Sequence, residues 1–255
     1  MIDAHCHLEQ KDYQEDREKV ISECKKELKA VIISCCHPDD FEIGLGLVES
    51  YKNFIFLCAG VHPEYVHKLG DREIEESLNW IREHKDKIVG IGETGLDFKV
   101  AKEPETKERQ KDVFLKFINL AKELNKPLVV HSRKAFFEAV DILEKENVSK
   151  VLMHFFTEPR LVERIIKNGW YVSLNTTLIT SKDIQKIAKE MPIERILTET
   201  DSPWLGENGK RNHPKRVKIV IEEIARIKNL PFEEVDKTTT KNAIRLFDLP
   251  IETNS

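Results

Sequence analysis

The stretch IVGIGETGLDFKVAKEPETKERQKDVFLKFINLAKELNKPLVVH, residues 88–131, places a long helical pattern between two short apolar runs. The runs are Ile88–Leu96 and Pro127–His131, and their β-branched residues are typical of buried strands. From Glu108 to Leu124, apolar side chains recur on one helical face, namely Val113, Phe114, Phe117, Ile118, Ala121 and Leu124. A strand, a helix and a second strand in this order predict a right-handed crossover between parallel strands.

The same alternation continues through all 255 residues. The other strand-like runs are Met1–His7, Ala30–Cys36, Phe54–Val61, Val151–Phe155, Trp170–Leu174 and Ile196–Thr200. Further helical patterns cover Tyr13–Leu28, Ile74–His84, Ala135–Lys145, Pro159–Lys167, Ser181–Lys189 and a segment from Pro214 to Ile227. Eight such units in this length are typical of a (β/α)8 TIM barrel, so we predict a single α/β domain, residues 1–255. An open doubly wound sheet is the alternative, although the Gly-rich Rossmann fingerprint does not follow the first run.

Composition excludes several classes of protein. Hydrophobic residues make up 40% of the chain, which is too apolar for a disordered protein, and the net charge of −4 argues against a uniformly basic surface. No stretch approaches the roughly 18 apolar residues of a membrane span, and the N-terminus lacks a signal-peptide pattern, so we expect a cytoplasmic protein without a membrane partner. The five cysteines form no CxxC pair, and we expect most of them to be reduced core residues.

Side chains that bind metals stand late in or just after five of the predicted strands. They are His5, His7, Glu93, His131, His154 and Asp201. Because the carboxyl ends of barrel strands point to one face, we expect these six side chains to converge there. A single histidine at a strand end is more often a capping or core residue, but a coincidence of six is improbable.

This donor set predicts a divalent metal site. Imidazole and carboxylate ligands without thiolate suit Zn²⁺, Mn²⁺, Fe²⁺ or Mg²⁺. Six ligands exceed the three that a catalytic zinc commonly uses, and they suit two ions about 3.5–4 Å apart. Glu93 would bridge the ions, with His5 and His7 on one side and His131 and His154 on the other. Asp201 would bind a metal and accept a proton from a metal-activated water, which indicates hydrolytic chemistry.

Short motifs connect the chain with a known family. They are DAHCHL (Asp3–Leu8), GVHPEYV (Gly60–Val66), GIGETGLD (Gly90–Asp97), PLVVHSR (Pro127–Arg133), MHFF (Met153–Phe156), TETDSPWL (Thr198–Leu205) and RNHP (Arg211–Pro214). With these segments the chain resembles the TatD-type deoxyribonuclease family, within the metal-dependent amidohydrolase superfamily. The resemblance implies a TIM barrel, a divalent-metal site on the same six residues, hydrolysis of phosphodiester bonds in DNA, and a substrate role for His62.

The chain departs from the family pattern at two places on the expected rim of the site. The family often has HCFSG where this chain has residues 154–158, HFFTE, and it often has NEP where this chain has residues 212–214, NHP. Neither departure removes a predicted ligand. We therefore expect the metal site to be retained and the rim, which contacts substrate, to differ.

Candidate substrate contacts lie near the strand ends. The segment Asn208–Ile221 is basic, with Lys210, Arg211, Lys215, Arg216 and Lys218, and it follows the eighth run, where many barrels bind phosphate. A solvated helix face is the alternative for its outer residues. Arg133 is a second phosphate candidate, because a guanidinium can hold two phosphate oxygens.

Aromatic residues near the same loops could stack on bases: Phe98, Phe155, Phe156 and Trp204. Strand alternation would instead turn Phe155 away from His154, into the layer between barrel and helices. Glu199 shares a strand face with Asp201, and it is an orienting partner, an added ligand or a buried structural carboxylate.

The sequence therefore predicts a divalent-metal-dependent phosphodiesterase, a deoxyribonuclease (exonuclease) acting on DNA ends or single strands. Asp201, Glu93, His62 and Arg133 are its predicted catalytic residues. One alternative is hydrolysis of another bond at the same site: an ester on aminoacyl-tRNA, an amide, a lactone or a phosphotriester. Related barrels commonly bridge their metals with a carbamylated lysine. The fourth run has Glu93 and no lysine before Lys99, which disfavours those related activities but not hydrolysis of an ester on aminoacyl-tRNA. The other alternative is a nucleic-acid-binding protein without catalysis.

Overall fold

An eight-stranded parallel sheet forms the centre of the computed structural model, which describes residues 1–252. The strands lie side by side in sequence order, as β1 Ile2–Cys6, β2 Ala30–Cys35, β3 Ile55–Ala59, β4 Gly90–Gly95, β5 Leu128–His131, β6 Val151–Met153, β7 Tyr171–Leu174 and β8 Ile196–Thr198. The backbone N–H of Asp201 donates to the carbonyl of His5 at 2.9 Å, and that of His7 donates to Ser202 at 2.7 Å. These bonds join the end of β8 to β1 and close the barrel. The predicted (β/α)8 barrel is confirmed, and the open doubly wound sheet is wrong.

Helices alternate with the strands. They are α1 Arg17–Cys24, α2 Phe41–Ser50, α3 Asp71–Glu83, α4 Pro104–Leu124, α5 Phe136–Lys145, α6 Val162–Lys167, α7 Lys182–Glu190, α8 Val217–Lys228 and α9 Phe232–Phe247. Each predicted helical pattern coincides with one of these helices, but none corresponds to α2 or α9. In α2, a Cβ added to Gly44 would collide with Cys35 Sγ of β2, so this glycine lets the helix pack closely on the strand. The same glycine weakens the helical sequence pattern, because glycine disfavours helix formation. No helix within residues 1–252 has both the length and the hydropathy of a membrane span.

The apolar residues form two layers. Inside the barrel, alternate residues of the strands pack together, among them Ile2, Ala4, Ala30, Ile32, Phe56, Val129 and Leu197. Leu246 and Phe247 of α9 join this inner cluster and close the amino-terminal end of the barrel. The intervening strand residues pack outward against the other helices, as Ile33 does. Beside α9, a cavity of about 840 Å³ lies between the starts of β3, β4 and β5 and the end of this helix. The carboxyl-terminal mouth is the opposite end of the barrel.

Two strands carry an extra residue where their metal-binding side chains begin. In β1, the partners of Asp3 and Cys6 are only two residues apart on β2, and β4 has the same irregularity between Ile91 and Thr94. A regular β1 that turned Ile2 and Ala4 inward would turn His5 outward. A bulge reverses the alternation, and this brings His5 to the inside of the mouth.

Glycines permit the bulge in β4. Gly92 and Gly95 have φ values of 138° and 139°, which L side chains rarely adopt. A Cβ on either residue would collide with a backbone carbonyl of β5. The GIGETG sequence therefore allows close packing on β5 and directs Glu93 into the mouth.

Candidate metal centre

The six predicted ligands meet at the carboxyl-terminal mouth of the barrel. His5 Nε2 lies 3.2 Å from His7 Nε2, and His7 Nε2 lies 3.3 Å from Asp201 Oδ1. All of them are buried or nearly so, and five border a cavity of about 400 Å³, with His5 directly behind them. Convergence of these distant residues is the arrangement that the strand-end pattern predicts.

Glu93 occupies the centre of the cluster. Its Oε2 lies 3.3 Å from His5 Nε2, whereas its Oε1 lies 2.6 Å from His131 Nδ1 and 3.6 Å from His154 Nε2. Glu93 belongs to two groups of potential ligands, one with His5 and His7 and the other with His131 and His154. Within each group, the ligand atoms lie within 4.8 Å of one another. The two oxygens of Glu93 thus face two different histidine pairs, which is the geometry of a bridging ligand.

The charges of the cluster depend on one another. Burial by itself raises the pKa of Glu93, but the charge on His154 and the hydrogen bonds from His131 and His5 outweigh this effect and hold that pKa well below its ordinary value. Burial by itself lowers the pKa of His154, but the carboxylates of Glu199 and Glu93 outweigh it and raise that pKa to about 9. Buried carboxylates therefore draw positive charge into the cluster as protons on imidazoles. A divalent cation supplies positive charge at the same place, so the donor set fits metal binding.

Neighbouring groups orient two of the histidines. His7 Nδ1 donates to the carbonyl of Ser34 at 2.9 Å, and His154 Nδ1 lies 2.8 Å from Glu199 Oε2. In both residues Nε2 is left free for a cation, the usual arrangement around metal-binding histidines. Glu199 is fully buried, and Asn175 Nδ2 donates to its other oxygen at 3.1 Å. The contact with His154 favours an orienting role for Glu199 over the roles of an added metal ligand or a buried structural carboxylate.

His62 lies on the opposite wall of the cluster. Its Nδ1 accepts a hydrogen bond from the backbone N–H of Glu64 at 3.1 Å, which leaves Nε2 protonated and 3.6 Å from Glu93 Oε1. Burial and the facing His131 lower the pKa of His62 to about 3. His62 is therefore a neutral imidazole that presents an N–H donor to the site.

Asp97 connects a predicted ligand to a predicted phosphate contact. Its Oδ2 lies 3.1 Å from His131 Nε2 and accepts from Arg133 Nε at 2.8 Å. The Arg133 side chain is 44% exposed and borders the cavity, so its guanidinium is fixed at one edge and open at the other. Asp97 has no role predicted from the sequence, although it ends the GIGETGLD motif.

Sequence reasoning also missed Cys36 and Glu9. The Cys36 thiol donates to Glu93 Oε2 at 3.4 Å and borders the cavity, whereas the other four cysteines are buried core thiols as expected. Glu9 is 1% exposed, and its Oε1 lies 3.2 Å from His7 Nδ1. The signal for Glu9 was its spacing of two residues from His7, the same spacing that links His5 with His7.

The predicted aromatic contacts divide into two groups. Trp204 is 52% exposed and borders the cavity, whereas Phe156 is fully buried and its predicted stacking role is wrong. Phe98 is half-buried beneath the ammonium of Lys107 and does not border the cavity. Phe155 does border it, against the alternation argument, because β6 ends at Met153 and Phe155 has a φ of 43°.

Three of the five cations of the basic segment pair with acids, and its phosphate role stays a prediction. Arg211 pairs with Asp16, Lys215 pairs with Glu23 and Glu27, and Arg216 pairs with Glu207. In the part of the chain that the structure describes, no residue of Asn208–Ile221 borders the cavity. These cations neutralise surface carboxylates, as the alternative of a solvated helix face implied. The departure from the family's NEP pattern is His213, which is partly buried, has its Nε2 3.4 Å from Glu23 Oε2, and does not border the cavity.

Comparison with known proteins identifies the family. The sequence model described as TatD related DNase matches residues 2–248. The chain belongs to the TatD related DNase family. The resemblance carried by the sequence motifs is thereby confirmed.

Similar TatD family proteins span nearly the whole chain. The human protein named Deoxyribonuclease TATDN3 is 36% identical over 258 residues, which cover 97% of this chain and 94% of that protein. The Bacillus subtilis protein named Uncharacterized metal-dependent hydrolase YabD is 38% identical over 258 residues, covering 97% and 98%. The crystal structure of YJJV, a TatD homolog from Escherichia coli K12, superimposes with a TM-score of 0.90 over 98% of both chains. At 23% identity this likeness shows the fold alone.

Proposed function

We propose that residues 1–255 form one hydrolase domain that uses two divalent cations, Zn²⁺, Mn²⁺ or Mg²⁺, to cleave phosphodiester bonds in DNA. The substrates are DNA ends or single strands, and cleavage is exonucleolytic, in the cytoplasm. The observation that carries the proposal is Glu93, whose two oxygens face two histidine pairs at the barrel mouth. The names of the relatives, deoxyribonuclease and metal-dependent hydrolase, support it.

The ligands divide into two groups around Glu93. His5, His7 and Asp201 would hold one cation, and His131 and His154 the other, with Glu93 shared between them. When bound, such cations polarise a phosphoryl group and lower the pKa of a coordinated water. Burial alone raises the pKa of Asp201, but the hydrogen bond with His7 outweighs it and lowers that pKa. Asp201 is therefore ionised at neutral pH and can accept a proton from the attacking water.

Two cavity residues would contact the phosphate directly. His62 offers its Nε2–H to a phosphoryl oxygen, and its low pKa keeps the imidazole neutral beside the histidine ligands. Arg133 offers the open edge of its guanidinium, while Asp97 fixes the other edge. Donors that are already oriented before the reaction stabilise the charge that develops on phosphorus oxygens.

The test is cleavage of end-labelled DNA by chelator-stripped protein to which Mg²⁺, Mn²⁺ or Zn²⁺ is returned. We expect cleavage with at least one cation and none without. Glu93→Gln should lower kcat by more than about 100-fold, the upper range for changes that merely reorient a ligand. Glu207→Gln, which changes an exposed carboxylate that does not border the cavity, is the control and should match the wild type.

Two outcomes would refute the proposal. One is the absence of DNA cleavage with every cation, and the other is full activity of the Glu93→Gln protein. Hydrolysis of aminoacyl-tRNA or of non-nucleotide esters without DNA cleavage would assign the same site to another bond. Metal-independent DNA binding without any hydrolysis would favour a binding protein.

A further inference from the structure

A second cavity, which we call the side cavity, opens beside the metal centre. It has a volume of about 580 Å³ and lies between the ends of β5 and β6 and the start of α7. His131, Arg133, His154 and Phe155 border both this cavity and the one at the mouth. A ligand bound at the metal centre can therefore extend past these shared residues into the side cavity.

The charges around the side cavity cancel. Apart from the shared histidines, its ionisable lining residues are three cations and three anions, Arg133, Lys134, Arg160, Glu138, Glu158 and Asp183. Arg133 and Arg160 are already paired, with Asp97 and Glu158 respectively. Binding of a second phosphate needs net positive charge, so this lining suits a neutral group better.

Aromatic rings supply much of the apolar surface of this cavity. Phe136, Phe137 and Phe155 line it, and the Phe137 side chain is 38% exposed, so its ring is accessible to a ligand. The guanidinium of Arg160 lies 4.9 Å from the centroid of the Phe137 ring, and Glu158 holds it there through bonds of 2.8 and 2.7 Å. Phe137 and Arg160 thus form a pair at the rim of the side cavity.

A polar group without a partner lies deeper in the same cavity. Ser132 is 2% exposed, and its Oγ has no hydrogen-bond partner in the described residues. A buried hydroxyl without a partner is destabilising unless a ligand or water satisfies it. The side cavity therefore combines an aromatic surface with a buried hydrogen-bonding group.

We propose that the side cavity binds the nucleobase next to the scissile phosphate, with the base stacked on the Phe137–Arg160 pair and its polar edge directed to Ser132. The proposal rests on the proposed nuclease function and specifies its substrate. A base paired in a duplex must first lose its stacking and pairing before it can enter such a cavity, which costs free energy that an unpaired base does not pay. The enzyme should therefore prefer nucleotides that are already unpaired, at frayed ends or in single strands.

Single-stranded oligonucleotides with one abasic residue test this subsite. The abasic residue is moved along the strand on both sides of the cleaved bond, and KM and kcat are measured at each position. At one position we expect KM to rise between about 5-fold and 150-fold, the range for loss of one base–aromatic stack, with kcat nearly unchanged. Phe137→Ala should raise KM for the intact strand by a similar factor, and the abasic residue should then have little further effect.

Two variants serve as controls. Trp204→Ala alters an aromatic residue that borders the mouth but not the side cavity, so it should retain the abasic effect at that position. Ile43→Ala removes an equally exposed apolar side chain on α2 and should behave as the wild type. Because Phe137 is partly exposed, its variant should also unfold at the wild-type temperature.

The outcomes separate the subsite from the nuclease function. The subsite is overturned if the abasic effect persists unchanged in Phe137→Ala, or if no position shows an abasic effect. Cleavage of the strand in the same assay would still support the nuclease function. If the wild type cleaves no DNA, the same oligonucleotides are compared by fluorescence anisotropy in the presence of EDTA. Equal affinity of intact and abasic strands in that measurement also overturns the subsite.

Discussion

Replacing Glu199 with Gln tests whether the orientation of His154 controls metal binding. Glu199 accepts from His154 through Oε2 at 2.8 Å and from Asn175 through Oε1 at 3.1 Å. Glutamine would place an NH₂ group where one of the two Glu199 oxygens now lies. Either His154 Nδ1–H or Asn175 Nδ2–H would then face a donor instead of an acceptor. If His154 does so, its proton moves to Nε2 and blocks the atom that would bind the cation.

The expected loss follows from this geometry. Removing the orienting partner of a metal-binding histidine typically costs 10- to 100-fold in affinity, about 1.4 to 2.8 kcal/mol. The loss should fall on the cation held by His131 and His154, whereas the one held by His5 and His7 should bind normally. Isothermal titration of Mn²⁺ or Zn²⁺ into chelator-stripped protein should therefore show one weakened binding step and one unchanged step.

Glu9→Gln is a matched control for this experiment. Glu9 is also a buried carboxylate beside a histidine ligand, but His7 Nδ1 additionally donates to the carbonyl of Ser34 at 2.9 Å. That carbonyl can keep His7 oriented after the substitution, so the affinity should fall much less. The reasoning is refuted if Glu199→Gln binds both cations with wild-type affinity, or if both variants lose affinity equally. Complete loss of one binding step would instead make Glu199 a direct ligand.

Three further predictions follow from the site. Chelation should lower Tm in calorimetry by about 5–10 °C for each cation removed, because a cation at 100 times its Kd stabilises by about 2.7 kcal/mol. An unchanged Tm would argue against a buried metal. Trp204→Ala should raise KM for single-stranded DNA by at least about 5-fold in steady-state assays without changing Tm, since the side chain is 52% exposed at the cavity. Arg133→Lys keeps the charge but loses the two-oxygen contact, so kcat/KM should fall by about tenfold, and Arg133→Ala should fall further. Wild-type kinetics for both Arg133 variants would exclude it from phosphate binding.

The strand-end pattern predicted the barrel and the convergence of the six candidate ligands because both follow from topology. In a closed parallel barrel, residues far apart in sequence become neighbours whenever they share the same position on their strands. His131 and Asp201 illustrate this, since they lie 70 positions apart in the chain and border one cavity. No detail of side-chain packing was needed for that prediction.

The remaining features depend on tertiary contacts that the sequence pattern does not contain. Two cations of the basic segment pair with acids far from them in sequence. Arg211 pairs with Asp16, directly before α1, and Lys215 pairs with Glu23 of α1. The contact of Cys36 with Glu93 likewise requires knowledge of which strands are adjacent. The alternation argument was wrong for Phe155 because β6 ends at Met153, two residues before the end of the apolar run that predicted the strand.

The bulge in β1 explains how one strand serves both the core and the site. Its inward residues are apolar at Ile2 and Ala4, and a bulge is needed for His5 to face inward after them. Asp3 compensates for the interrupted ladder: its carboxylate accepts from the backbone N–H of His5 at 3.3 Å and from Thr200 N–H and Oγ1 at 3.0 and 2.5 Å. Thr200 immediately precedes Asp201, so the same buried carboxylate fixes the two chain segments that carry His5 and Asp201. The first residue of the DAHCH motif is therefore required for the geometry of the centre, although it contacts no cation position itself.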